Sequence, residues 1–136
     1  MMELDHKIAE IKDELVQIRK DLHRFPELGF KEYRTAGKVA EYLSNLGFEV
    51  ETSIGGTGVV GLMRGKHEGA TIGIRACLDA LEMEECSGVD YASENKGVFH
   101  GCGHDGNMAF ALGTAKILSQ YTDQLKGNVK FIFQPS

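Results

Sequence analysis

"ATIGIRACLDAL", residues 70–81, decides how the rest of the chain is read. It is a nearly continuous apolar run, entered from "KHEG" (66–69) and ending in an acidic residue, Asp79. "VVGLMRG" (59–65) is a second such run. Runs of this kind suit strands of a sheet covered on both faces, where no alternation with polar residues is needed. A carboxylate at the end of such a strand would face the crevice in which open α/β sheets hold their ligands. The alternative for Asp79 is an ordinary loop-capping carboxylate.

The flanking segments supply the helices. Ile8, Ile11, Leu15, Ile18 and Leu22 recur at steps of three and four, which predicts an amphipathic helix from about Asp5 to His23. Asp5 is its expected N-cap and Pro26 its stop. Ala36, Val39, Ala40, Leu43 and Leu46 predict a second helix, with Asn45 and Gly47 as end signals. The period then shortens to two: Phe48 and Val50 alternate with Glu49 and Glu51, as in a half-buried strand, and "GGTG" (55–58) turns into the next. Residues 82–99, with "EMEE" and "SGVDYASENKG", read as a long acidic surface loop. A third helix is expected from about Asp105 to Tyr121, and "NVKFIFQPS" (128–136) is a last strand. Together these elements predict an α/β fold, an αβα sandwich around a buried mixed sheet. The third helix is apolar nearly all round and needs cover on more than one side, more than a chain of this length offers.

Composition narrows the function. The chain has 136 residues, enough for one domain with a core, and an ordinary globular balance of 42% hydrophobic and 26% charged residues. Its net charge of −5 leaves no basic stripe to replace phosphate counterions, so nucleic acid is not an expected partner. Arg19, Lys20 and Arg24 read as a solvated helix face. No run is long and apolar enough to span a membrane, and the charged N-terminus has no signal core, so the cytoplasm is the expected location. Cys77, Cys86 and Cys102 are an odd number of thiols, which argues against a disulfide framework. Cys77, in a buried-strand pattern, reads as a small core residue, and Cys86 has no partner in view.

"FHGCGHDGN" (99–107) concentrates the chemistry. Cys102 and His104 are two apart and would point to opposite sides of a helix, so only an extended or turning backbone lets them converge. Gly101 and Gly103 permit that turn, and Asp105 suits an N-cap at the start of the third helix. A thiolate with an imidazole fits zinc, and cobalt, nickel or manganese less well. Two ligands do not make a site, and a buried Cys beside a capping Asp explains the same spacing structurally. His100 is near but carries no signal of its own, while His6 and His67 look solvent-facing.

Four segments taken together resemble the N-terminal part of the M20 metallopeptidase family, in its amidohydrolase branch of aminoacylases, hippurate hydrolases and auxin-conjugate hydrolases. They are "LHRFPELGFKEYRTA" (22–36), "RACLDAL" (75–81), "HGCGHDGNMAFALGTAKIL" (100–118) and "GNVKFIFQPS" (127–136). The resemblance implies residues 1–136 as the N-terminal part of a catalytic domain, with the satellite (dimerisation) domain absent. It implies a site of two divalent metals, with Cys102 and His104 as ligands and Asp79 supporting them. The implied reaction is hydrolysis of an N-acyl amino acid or small peptide by metal-activated water, with a glutamate as base. It allows homo-oligomers.

The chain departs from the branch in places. Where the branch reads D-M-D-A-L-P, this chain has Cys77, Leu78, Asp79, Ala80, Leu81 and Glu82, and Asn107 replaces a usual histidine. In the family, paired glutamates follow the position of Ser136, then further histidine ligands. The chain alone is therefore expected to be inactive. The alternative is a non-catalytic module that keeps half a metal site for binding or association.

Overall fold

The computed structural model describes residues 2–136. In chain order they form α1 (Met2–Arg24), α2 (Tyr33–Asn45), β1 (Glu49–Ile54), β2 (Gly58–Arg64), β3 (His67–Cys77), α3 (His104–Ser119) and β4 (Lys126–Gln134). The strands form one mixed sheet in the order β1-β2-β4-β3. The β1–β2 and β2–β4 pairs are antiparallel, and β3–β4 is parallel. A parallel pair needs a crossover, and α3 supplies it. The class is the expected one, mixed α/β with a mixed sheet.

One face of the sheet holds the core. Val59, Gly61 and Met63 of β2 stand opposite Phe133, Phe131 and Val129 of β4. Phe131 and Phe133 are fully buried, and each contributes roughly 1.5–3 kcal/mol by leaving water. Against this face α2 brings Val39 and Leu43, while α3 brings Met108, Leu112 and Ala115. A side chain at Gly61 would meet Leu43 Cδ1 at 2.8 Å, so α2 lies close on β2. Helix α1 packs on α3, and Leu22 near its C-terminal end reaches the same core.

Several expectations change here. The apolar runs are not covered on both faces by the described residues. Val60, Leu62 and Ile132 on the far face are half-buried, residues 67–73 are exposed, and Ile72 is 64% exposed. The reason is placement: β3 is an edge strand, and the three helices all serve the other face. Asp5 does not cap α1, which already runs from Met2. The apolar circumference of α3 is answered by the sheet on one side and α1 on another, leaving Phe110 72% exposed.

The 82–99 segment has no helix or strand, as expected, yet it is tied down. Glu94 N–H donates to Arg24 O, Asn95 Nδ2 donates to Pro26 O, and the Glu85 side chain is buried. The basic residues of α1 are its counterparts rather than a solvated face. Lys20 pairs with Asp90, Arg24 pairs with Glu94, and both Arg19 and Lys20 lie over the Tyr91 ring. A loop this acidic gains by folding over the nearest cations. The start of α2 has a cap that its own sequence does not announce. The Glu27 carboxylate, from the preceding segment, accepts the N–H groups of Arg34 and Thr35 at 3.1 and 2.7 Å.

Candidate metal centre

The site forms where β3 ends. Ala76 and Leu78 turn into the core, 6% and 0% exposed, so Cys77 and Asp79 project together to the opposite side of the extended chain. Extended pairing continues past the strand: Leu78 N–H donates to Gln134 O, and Ala80 N–H donates to Glu27 O. Cys77 stands beside Gln134, so this is the carboxyl edge of the parallel β3–β4 pair.

The return from the 82–99 segment brings the other half. Gly101 packs so closely that a side chain there would meet Met83 Sδ at 2.9 Å. Gly103 takes φ +75° as the residue before α3, a left-handed turn that glycine makes without strain. His104 is thereby the first residue of α3. Its Nδ1 lies 2.8 Å from the Asp79 carbonyl oxygen and 3.1 Å from Asp79 Oδ1. A carbonyl oxygen only accepts, so Nδ1 carries the proton and Nε2 keeps its lone pair for a ligand. Asp79 thus orients the ring as carboxylates and carbonyls do behind metal-binding histidines.

Cys77, Asp79 and His104 each offer a ligand atom, and these atoms lie within 4.8 Å of one another. Thiol, carboxylate and imidazole together are a donor set that fits zinc or cobalt, and the group is half-buried at a sheet edge. Among the described residues Cys102 is not in that group. It is exposed, in the turn two residues before His104.

Asp105 does not cap α3. The capping position belongs to Gly103, and no side chain bonds there. Asp105 is fully buried instead: its Oδ2 accepts from Arg19 Nε at 3.1 Å and lies 2.8 Å from His23 Nδ1. The other nitrogen of His23 is 3.0 Å from Glu85 Oε1. The His23 ring therefore bridges the two carboxylates, one at each nitrogen, and it also packs edge-on to Tyr91 and Phe99. This network fixes α3 to α1 and to the acidic loop, and so fixes where His104 stands. Burial alone would raise the Glu85 carboxyl, but bonds from His23, Ser87 and the Ser93 N–H outweigh it and hold the carboxyl below its usual value.

His100 is buried, and neither ring nitrogen has a hydrogen-bond partner. Burial pushes its pKa down to about 4, against the pull of Asp105 and with the push of His23 and His104.

Sequence reasoning missed Cys77 and the His23–Asp105–Glu85 network. Cys77 was readable: i, i+2 from Asp79 and alternating with Ala76 and Leu78. The network joins residues 62 and 82 positions apart and leaves no local pattern.

The sequence model of peptidase family M20/M25/M40 matches residues 73–136. Thermostable carboxypeptidase 2 of Saccharolobus solfataricus is 46% identical over 134 residues, 98% of this chain and 34% of its own. The N-acyl-L-amino acid amidohydrolase of Geobacillus stearothermophilus is 40% identical over 132 residues, 97% of this chain and 36% of its own. The crystal structure of a Bacillus subtilis dinuclear metal-binding peptidase of the M20 family superposes with a TM-score of 0.89 at 39% identity. It covers 94% of this chain and 36% of that one. The chain spans about a third of the length of these curated relatives.

Proposed function

This chain belongs to peptidase family M20/M25/M40, and we propose that it forms the N-terminal part of the catalytic domain of a metal-dependent amidohydrolase. Its substrates are N-acyl amino acids, the class named for its amidohydrolase relative, or small peptides, as the name of its carboxypeptidase relative suggests. The observation that carries the reading is the placement of His104, with Asp79 behind it and the Cys77 thiol in the same cluster, at the carboxyl edge of the parallel strands.

Divalent metal held here, zinc before cobalt, nickel or manganese, supplies Lewis acidity toward an amide carbonyl and toward water. His104 offers Nε2 and Cys102 a thiolate as ligands. Asp79 accepts from Nδ1 and keeps the ring in the ligating tautomer and orientation. The proton of the attacking water needs a base, and by family resemblance that base is a glutamate placed after Ser136. Strand β4 ends beside Cys77, so a chain continuing from it would leave at the same edge of the sheet. A complete site would hold two metals. The three free thiols suit a reducing compartment such as the cytoplasm.

Hydrolysis of hippurate and N-acetyl amino acids tests this, with zinc, cobalt or manganese added. The 136-residue chain, shown folded by circular dichroism, is expected to be inactive, and a longer chain carrying the glutamates active. Loss of a general base alone is worth ~10²–10⁴-fold. Inactivity of both would favour a non-catalytic binding module. Metal-dependent turnover by the short chain, lost on Cys102→Ala, would overturn the assignment of the base.

A further inference from the structure

We infer that Cys77 is itself a metal ligand, a thiolate that joins His104 in this chain and biases the site toward thiophilic metals. The inference rests on the metal-dependent reading above and extends it to a position where the family branch has an acid.

Three observations carry it. The ligand atoms of Cys77, Asp79 and His104 lie within 4.8 Å of one another, close enough for one ion with bonds of about 2.0–2.3 Å to bridge after small rotamer changes. Cys77 is not packed as a core residue: it is half-buried, on the side of the strand opposite Ala76 and Leu78, facing the same space as Asp79. Its sulfur accepts one hydrogen bond, from Arg75 Nη2 at 3.4 Å, an exposed side chain.

The role of Asp79 sharpens the argument. Its carbonyl and one carboxylate oxygen are spent on His104 Nδ1. Cys77 Sγ and His104 Nε2 remain for an ion, with Asp79 Oδ2 the one further oxygen of the group that is not spent on the ring. Sulfur in place of carboxylate moves preference away from manganese and magnesium and toward zinc, cobalt and cadmium.

Cobalt titration of the 136-residue chain reads this directly, because thiolate-to-cobalt charge transfer absorbs in the near ultraviolet and the d–d bands report binding itself. In the variant Cys86→Ser/Cys102→Ser, where Cys77 is the only thiol, the sulfur band is expected to persist at saturating cobalt. It should vanish on adding Cys77→Ser. Cys77→Asp, which restores the branch's acid, should keep the d–d bands, lose Cys77's share of the sulfur band, and bind manganese relatively better. Cys77→Ser alone should weaken zinc binding by at least about tenfold in competition with a chelator. Circular dichroism confirms that each variant is folded, and Cys77→Asp stands in if the serine variant is not.

A sulfur band carried wholly by Cys102, with d–d bands lost in His104→Ala, would overturn the inference and leave the metal-dependent reading standing. Absence of any cobalt spectrum at millimolar metal would also overturn the inference, whereas the metal-dependent reading falls separately if the longer chain shows no metal-dependent hydrolysis.

Discussion

Replacing Asp105 by alanine should cost the protein about 3 kcal/mol, several times what an N-cap is worth. The carboxylate is fully buried and serves two side chains of α1, the Arg19 guanidinium and the His23 ring. Arg19 is 45% exposed and can turn to water when its partner goes, so its share of the loss is small. His23 is 6% exposed and cannot; it would keep Glu85 and leave Nδ1 facing a cavity. A charge-assisted bond is worth ~1.5–3 kcal/mol, and breaking one partner of a buried pair typically costs ~3–5 kcal/mol. The lower end applies because Glu85 remains. Urea denaturation followed by circular dichroism measures this, with an unchanged m-value showing that the folded state is otherwise intact. Asp105→Ser separates the mechanisms. Serine is as good a helix cap as aspartate, so a capping role predicts near-complete rescue, whereas the network predicts nearly the alanine loss. A change within ~0.5 kcal/mol for Asp105→Ala would refute the reasoning, since that is the level of an ordinary surface substitution.

Acid should act on the same network: a carboxyl held low stabilises the fold above its unfolded value near 4.5 and loses that contribution as pH falls further, so Glu85→Gln should flatten the stability curve below pH 4.5. His100 acts in a higher window. A buried imidazole with pKa about 4 gives its full contribution above pH 6.5 and loses it as the unfolded state takes up a proton between 6.5 and 4, so His100→Gln should remove one proton's worth of slope there in a pH series of urea melts. Glu27→Gln should lower stability by about 1 kcal/mol, because an amide keeps one acceptor for the Arg34 and Thr35 N–H groups but loses the charge at the start of α2. Phe131→Ala should cost ~3–5 kcal/mol in the same assay, as the centre of the buried sheet face.

What the sequence made legible follows from the range of the physics involved. The 3.6-residue stripe of α1 and the turn into α3 at Gly101 and Gly103 are local, so their positions could be read within a few residues. Pairing was not local. Nothing in "ATIGIRACLDAL" distinguishes a central strand from the edge strand it forms, because its neighbours are set by β4, which arrives some fifty residues later. The motif residues divide the same way. Helix-start chemistry explained Asp105 locally as a cap, yet a helix's second residue can turn inward as easily, and which occurs depends on whether hydrogen-bonding partners wait on the packed neighbour. Here Arg19 and His23 do, placed by a helix more than eighty positions earlier. The acidic loop is the converse case. Its charges looked like solvated surface because the sequence shows their density and not the basic face of α1 beneath them. Cys77 is the instructive residue between these extremes. Its neighbours in sequence, Ala76 and Leu78, already force it away from the core, and Asp79 two positions on already shares its side of the strand. Only His104, delivered by the glycine turn and held by Asp79, had to come from elsewhere to bring a thiol at a strand end within 4.8 Å of an imidazole and a carboxylate.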